Sequence, residues 1–286
     1  MDFEKILDSY RLKINEYLEK CFENKNGEIY DAMRYSLLDG GKRIRPVISL
    51  AVCEALGGNM EEALSFGCAI EMIHTYSLIH DDLPCMDNDD YRRGKPTNHK
   101  VFGETTAVLA GDALLNMACE TLVSADFDKT RIVEALKVIY QSSGADGMVG
   151  GQMLDMKAEK ESPDGEGLKT LHRKKTGALI DAAAMVGAIS AGKDANILKE
   201  YSSSLGMAFQ IRDDILDIEG NEEIIGKPIY SDEKNNKVTF ITLYGIGGAK
   251  SQLEEETQKA VDSIAFLGEK GEFLRELAFY LLNRES

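Results

Sequence analysis

Leu78-Ile79-His80-Asp81-Asp82-Leu83-Pro84-Cys85-Met86-Asp87 ends a long apolar stretch with three acids and a proline. Apolar residues across 61–83 recur with the helical period, so the spacing predicts a helix there. On that helix His74, Ser77 and Asp81 share one face, and Leu78 sits below Asp82. Pro84 lacks an N–H and cannot occupy a regular helix interior, so it should break the helix just after the two acids. The chain can then curl and return Asp87 towards the same place. Carboxylates at the end of an apolar helix need a partner, because unpaired buried charge is costly.

Immediately downstream, Arg92-Arg93-Gly94-Lys95 sets three cations after a patch of five aspartates. One alternative is a solvated acidic loop neutralised by its own arginines. A calcium loop is a poor fit. Asp87-Asn88-Asp89 starts like an EF-hand, but Tyr91 takes the fifth position and no Glu closes the twelfth. Asp112 is a further acid in apolar surroundings, with a supporting, capping or surface role open to it.

A second acidic cluster, Asp213-Asp214-Ile215-Leu216-Asp217, follows Phe209-Gln210-Ile211-Arg212. It contains no proline and should stay helical. Asp213 and Asp217 are four apart and point the same way, with Asp214 one step round. The alternative is a solvent-facing acidic patch. Two such clusters facing each other would repel without cations between them, which suggests a site for divalent metal and a polyanionic substrate.

Three basic stretches could serve that substrate. Gly40-Gly41-Lys42-Arg43-Ile44-Arg45-Pro46 puts three cations at a helix start, where N–H groups and the dipole favour anions. The plain alternative is a basic helix start paired with surface acids. His172-Arg173-Lys174-Lys175-Thr176-Gly177 precedes an apolar run. Gly177 costs a helix about 1 kcal/mol against Ala, so it implies a kink or close packing. Gly226-Lys227-Pro228 and Lys237 add cations beyond the second cluster.

The rest of the chain is read as helices near 2–22, 28–39, 44–56, 104–123, 130–147, 150–159, 166–190, 195–219, 236–266 (broken near Gly245–Gly248) and 270–283. No convincing strand run appears, connections are short, and no linker marks a boundary. The expectation is a single all-α domain, residues 1–286. The formal charge of −16 argues against nucleic acid and anionic lipid. Cys21, Cys53, Cys68, Cys85 and Cys119 form no CxxC pair, consistent with free buried thiols in a reducing compartment. With no signal-like N-terminus and no run near 18 apolar residues, the expectation is a soluble, cytoplasmic protein without a membrane span.

Taken together, these motifs resemble the trans-isoprenyl diphosphate synthases. The resemblance rests on Gly40–Pro46, the DDxxxxD stretch 81–87, Arg92-Arg93, Gly150-Gly151-Gln152, Lys175-Thr176-Gly177, Phe209-Gln210 and 213–217. It implies a chain-elongating prenyltransferase acting on isoprenoid diphosphates, with an all-α bundle around a central cavity, Mg2+ dependence and a homodimer. Asp81, Asp82, Asp87 and Asp213 would hold the metal, supported by Asp214 and Asp217. Arg92, Lys175, Thr176, Gln210, Lys227 and Lys237 would hold the allylic diphosphate. Lys42, Arg45, His74 and Arg93 would hold isopentenyl diphosphate. Tyr76 lies about 7.5 Å deeper along the helix than Asp81. A bulky aromatic there resembles a floor that stops growth at C15, farnesyl diphosphate, although by periodicity Ser77 lies directly beneath Asp81. A smaller residue accompanies geranylgeranyl synthesis, the nearest alternative. Rivals of other kinds are an HD-type metal phosphohydrolase suggested by His74 and His80-Asp81, a terpene cyclase, and a non-catalytic subunit.

Overall fold

The computed structural model describes residues 2–158, 161–219 and 238–284. Lys227 and Lys237 lie outside them. The chain divides into two compact units, residues 2–137 with 186–194, and residues 138–185 with 195–286.

The first unit holds α1 (Phe3–Lys20), α2 (Glu28–Leu37), α3 (Ile44–Ala55), α4 (Met60–Asp81), a hairpin of β1 (Tyr91–Arg92) and β2 (Lys95–Pro96), α5 (Asn98–Phe102) and α6 (Glu104–Val123). α7 (Lys129–Ser143) begins in it and ends in the second. The second unit holds α8 (Met148–Ala158), α9 (Gly165–His172), a π-helical turn (Arg173–Gly177) and the start of α10 (Ala178–Ser190). It continues through α11 (Lys199–Glu219), α12 (Phe240–Ser263), a 3-10 stretch (Ala265–Gly271) and α13 (Glu272–Asn283). The class is all-α, as the periodicity predicts.

α4 is apolar on nearly every side, which marks a core helix. Ala63, Phe66, Cys68, Ile70, Met72, Ile73, Tyr76 and Ile79 are buried along it. Asn59 caps its start by accepting from the Glu61 amide at 3.1 Å. α3 packs close beside it. A β-carbon on Gly67 would lie 3.2 Å from Pro46 Cα, so the glycine sets the spacing.

Two elements differ from the sequence reading. The stretch 166–190 is not one helix but α9, a π turn and α10. The turn ends at Gly177, where the sequence indicates a kink or close packing, and close packing is what occurs. A β-carbon on Gly206 of α11 would lie 3.2 Å from Gly177 Cα. The hairpin 91–96 and α5 also escape the sequence reading. Arg93 and Gly94 both have positive φ, 52° and 77°, as the two-residue turn of a tight hairpin requires. Arginine is not one of the residues that announce such a turn. The expected break in α12 is present at Gly245, with φ 67° and ψ 164°.

Among the described helices, only α6 is long and apolar enough to cross a membrane, with 39% of its most apolar window buried. The helix carries Glu104, Asp112 and Glu120, and core helices of soluble proteins pass the same test. All five cysteines are free; Cys53 and Cys68 are buried, whereas Cys85 is exposed, contrary to the expectation of buried thiols.

Candidate active site

In the first unit, α4 ends at Asp81 and Asp82 forms its cap. Beyond Pro84 the chain curls back. The Asp87 amide donates to the Asp81 carbonyl at 2.9 Å, and the Asn88 amide donates to the Leu83 carbonyl at 3.1 Å. Asp82 is buried and receives Arg92 through Nε at 2.8 and 3.0 Å and through Nη2 at 2.6 Å. Burial lifts the Asp82 carboxyl above its ordinary pKa, and the guanidinium opposes that rise. Asp87 is exposed.

The hairpin that carries Arg92 is fastened to α2. Asn98 Nδ2 donates to the Ala32 carbonyl and to Ser36 Oγ, both at 2.8 Å, and Tyr35 donates to the Pro96 carbonyl at 2.7 Å. Arg93 reaches the glycine pair upstream, donating from Nη1 to the Gly40 carbonyl at 3.1 Å. Its guanidinium fills the space beside Gly41, where a β-carbon would lie 2.8 Å from Cζ; Gly41 also has φ +100°. The glycines thus bring two basic stretches, 42–45 and 92–93, side by side. His74 belongs to the same neighbourhood. Burial, then the charges of Arg45, Arg93, Arg92 and Arg43, hold its pKa well below the usual imidazole value. The imidazole is therefore held towards its neutral form, a hydrogen-bonding group rather than a charge.

Arg43 corrects the reading of three clamp cations at 42–45. Its Nη1 pairs with Glu71 Oε1 at 2.9 Å, Nη2 donates to the Leu37 carbonyl at 2.7 Å, and Nε donates to Asn15 at 3.0 Å. Both members of the ion pair are buried, at 1% and 3% side-chain exposure. Arg43 itself caps the start of α3 with a left-handed φ of 52°. Lys42 and Arg45 remain as the clamp candidates.

Tyr76 is buried, its ring edge-on to His80 with centroids 5.7 Å apart. Burial, then the charge of Asp81, raise the Tyr76 pKa. His80 Nε2 lies 3.1 Å from the Val108 carbonyl of α6. It sits in a notch at Gly111, where a β-carbon would come within 2.1 Å of that nitrogen. Ser77 Oγ donates to the His74 carbonyl of its own helix at 2.8 Å.

In the second unit, the π turn and α11 meet through a line of hydrogen bonds. Thr176 Oγ1 donates to Gln210 Oε1 at 2.6 Å, and Gln210 Nε2 donates to Asp213 Oδ2 at 3.2 Å. Lys175 pairs with Asp155 of α8. α8 approaches to backbone contact, since a β-carbon on Gly151 would lie 2.2 Å from Lys175 N. Asp213 also pairs with Arg284 near the chain end. Asp214 and Asp217 are buried, which removes the solvent-facing patch as a reading of the second cluster. Asp214 Oδ2 accepts the Phe240 amide at 2.8 Å, at the start of α12, where Thr239 and Thr242 form a capping box.

Sequence reasoning passed over Asp155 and Glu71. The signal for Asp155 was its place four residues after Gly151, one turn along α8. The signal for Glu71 was a lone acid amid the apolar run of α4.

The donors in both clusters are carboxylate oxygens, the chemistry that Mg2+ selects. Among the described residues, no three His, Cys, Asp or Glu side chains form a ready-made metal cage. Mg2+ keeps its waters and is held by one or two carboxylates together with substrate phosphates. An HD-type hydrolase needs converging histidines, and His80 and His99 are engaged apart from one another. His80 is engaged with Val108, and His99 Nδ1 lies 3.1 Å from Thr97 Oγ1.

Comparison with known proteins places this helical architecture. The Polyprenyl synthetase family matches residues 26–267. The chain is 47% identical over 279 residues to the farnesyl diphosphate synthase of Bacillus subtilis (strain 168), covering 96% of this chain and 94% of that one. It is 46% identical over 264 residues to the geranylgeranyl diphosphate synthase of Cyanophora paradoxa, covering 90% and 88%. A solved structure of geranyltransferase from Helicobacter pylori, complexed with magnesium and isoprenyl diphosphate, matches with a TM-score of 0.83 at 35% identity, covering 97% and 96%. The chain belongs to the polyprenyl synthetase family. Within that family it is a trans-prenyltransferase.

Proposed function

We propose that the chain condenses isopentenyl diphosphate head-to-tail with dimethylallyl and then geranyl diphosphate, yielding (E,E)-farnesyl diphosphate and pyrophosphate. Asp81, Asp82 and Asp87, with Asp213 supported by Asp214 and Asp217, hold Mg2+ and through it the allylic diphosphate. When bound, Mg2+ offsets the charge that builds on the departing pyrophosphate. Arg92, Lys175, Thr176 and Gln210 would supply donors to the same developing charge, and the sequence resemblance adds Lys227 and Lys237, which lie outside the described residues. Lys42, Arg45, Arg93 and neutral His74 hold isopentenyl diphosphate, whose double bond attacks the allylic cation. The proton then leaves to pyrophosphate, and no side-chain nucleophile is required. Fixing both reactants and excluding water carry the rest of the rate.

The observation that carries the C15 product is Tyr76, buried next to His80 beneath the first motif. The whole chain acts as one catalytic domain and works as a cytoplasmic homodimer. The exposed apolar residues Val108, Leu109 and Val123 of α6 support a covered face.

Incubation with Mg2+, isopentenyl diphosphate and dimethylallyl diphosphate, followed by product chain-length measurement, tests the proposal. A C15 product is expected. A C20 product would favour geranylgeranyl synthesis, and no elongation would exclude both. Asp82→Ala and Asp213→Ala should each lower turnover by more than about a hundredfold while the helical signal is kept. Near-normal turnover in both would overturn the metal assignment.

A further inference from the structure

Near its end the chain is tied to the second aspartate motif by a set of contacts confined to the second unit. Arg284 Nη2 lies 2.5 Å from Asp213 Oδ1 and donates to the Phe209 carbonyl at 3.0 Å. Its guanidinium lies over the Phe209 ring, 3.9 Å from the centroid. Its own carbonyl is gripped by Arg212, from Nε at 3.0 Å and Nη2 at 2.5 Å. Arg284 is only 8% exposed. The other Asp213 oxygen receives Gln210 Nε2 at 3.2 Å. Both carboxylate oxygens are therefore engaged.

We propose that Arg284 is a positioning residue that competes with the metal for Asp213. It holds this carboxylate in place while the metal is absent, and its side chain withdraws when the metal binds. The proposal rests on the assignment of Asp213 as a metal ligand. A divalent ion on this carboxylate would take an oxygen that Arg284 or Gln210 now occupies. A guanidinium on the same oxygen would then face a like charge a few ångströms away, which a partly exposed site does not tolerate cheaply. The side chain can swing without uprooting the residue, because Arg212 holds the main-chain carbonyl. The swing breaks the Nη2 bonds to Asp213 and to the Phe209 carbonyl, while the Phe209 ring offers the guanidinium a sliding face. Arg284 thus keeps Asp213 ordered between turnovers and sets a threshold for metal loading.

Calorimetric titration with Mg2+ in the presence of inorganic pyrophosphate tests this on the full chain. Wild type, Arg284→Ala, Arg284→Lys and Asp213→Asn are compared. Arg284→Ala should bind Mg2+ roughly fivefold more tightly, and Arg284→Lys should restore most of the wild-type affinity. A second readout is tryptic cleavage after Arg284, followed by mass spectrometry. In wild type it should be slow without metal and faster when Mg2+ and pyrophosphate are added. Unchanged or weaker Mg2+ binding by Arg284→Ala, or cleavage indifferent to metal, overturns the competition. If Asp213→Asn binds Mg2+ as wild type does, the metal assignment itself has failed and the competition falls with it. If Asp213→Asn loses metal while Arg284→Ala is unaltered, only the competition has failed.

Discussion

Gly151 of α8 lies directly against the main chain of Lys175, so close that a β-carbon on it would sit 2.2 Å from the Lys175 nitrogen. Backbone cannot rotate out of the way as a side chain can. Gly151→Ala must push α8 away from the π turn and disturb the Lys175–Asp155 pair with it. Expected outcomes are a loss of roughly 1–3 kcal/mol in urea unfolding and a raised KM for the allylic substrate. A variant with wild-type stability and KM would show that the two helices have room to spare.

Arg43 and Glu71 form a buried pair whose members cannot be removed singly at low cost. Arg43→Met leaves Glu71 charged and unpaired, and should destabilise the fold by about 3–5 kcal/mol. The double variant Arg43→Met/Glu71→Leu should recover most of that loss. Equal denaturation midpoints for the single and double variants would show that the pair is not coupled.

His172 supplies a pH-dependent term. Its ring stacks on Phe240, with centroids 5.6 Å apart. Burial pushes its pKa from 6.5 down to about 4, against the upward pull of Asp155 and Asp213. The unfolded chain takes the proton first as pH falls, so the stability contribution is complete above 6.5 and is lost progressively down to about 4. Linkage puts the full loss at about 3 kcal/mol. His172→Phe keeps a stacked ring and removes the titration, so its unfolding midpoint should vary less over that window. Parallel pH profiles for the two proteins would assign the acid sensitivity elsewhere.

Tyr76→Ala opens the space beneath the first motif and should lengthen the product beyond C15. Chromatography of the dephosphorylated products reads this directly. An unaltered C15 product would place the limit on another wall. Gly111→Ala is the companion control. Its β-carbon would strike the His80 ring rather than Tyr76, so it should cost stability with a smaller effect on length.

The helices of this protein could be read from the chain because apolar period, caps and prolines agree locally. α4 is the clearest case, with Asn59 at its start and Pro84 just beyond its end. The ends of features set by distant contacts could not be read so well. Arg93-Gly94 forms a tight turn because Asn98 and Tyr35 fasten the hairpin to α2, and neither bond leaves a mark near residue 93. The π turn at Arg173–Gly177 depends on Gly151 and Gly206 pressing from other helices. In the site, the acids and most cations were visible by residue type and spacing. What each one touches was not. Arg43 and Arg45 look alike in sequence, and only Glu71, far along the chain, shows that Arg43 is turned inward.

That inward turn makes a testable statement about descent. On the proposed assignment Lys42 and Arg45 answer to a ligand, whereas Arg43 answers to Glu71 inside the same polypeptide. In homologous chains, positions 43 and 71 should be exchanged together or left alone, independently of the product each enzyme makes. Positions 42 and 45 should follow the substrate. One short basic motif would then carry two separate evolutionary histories.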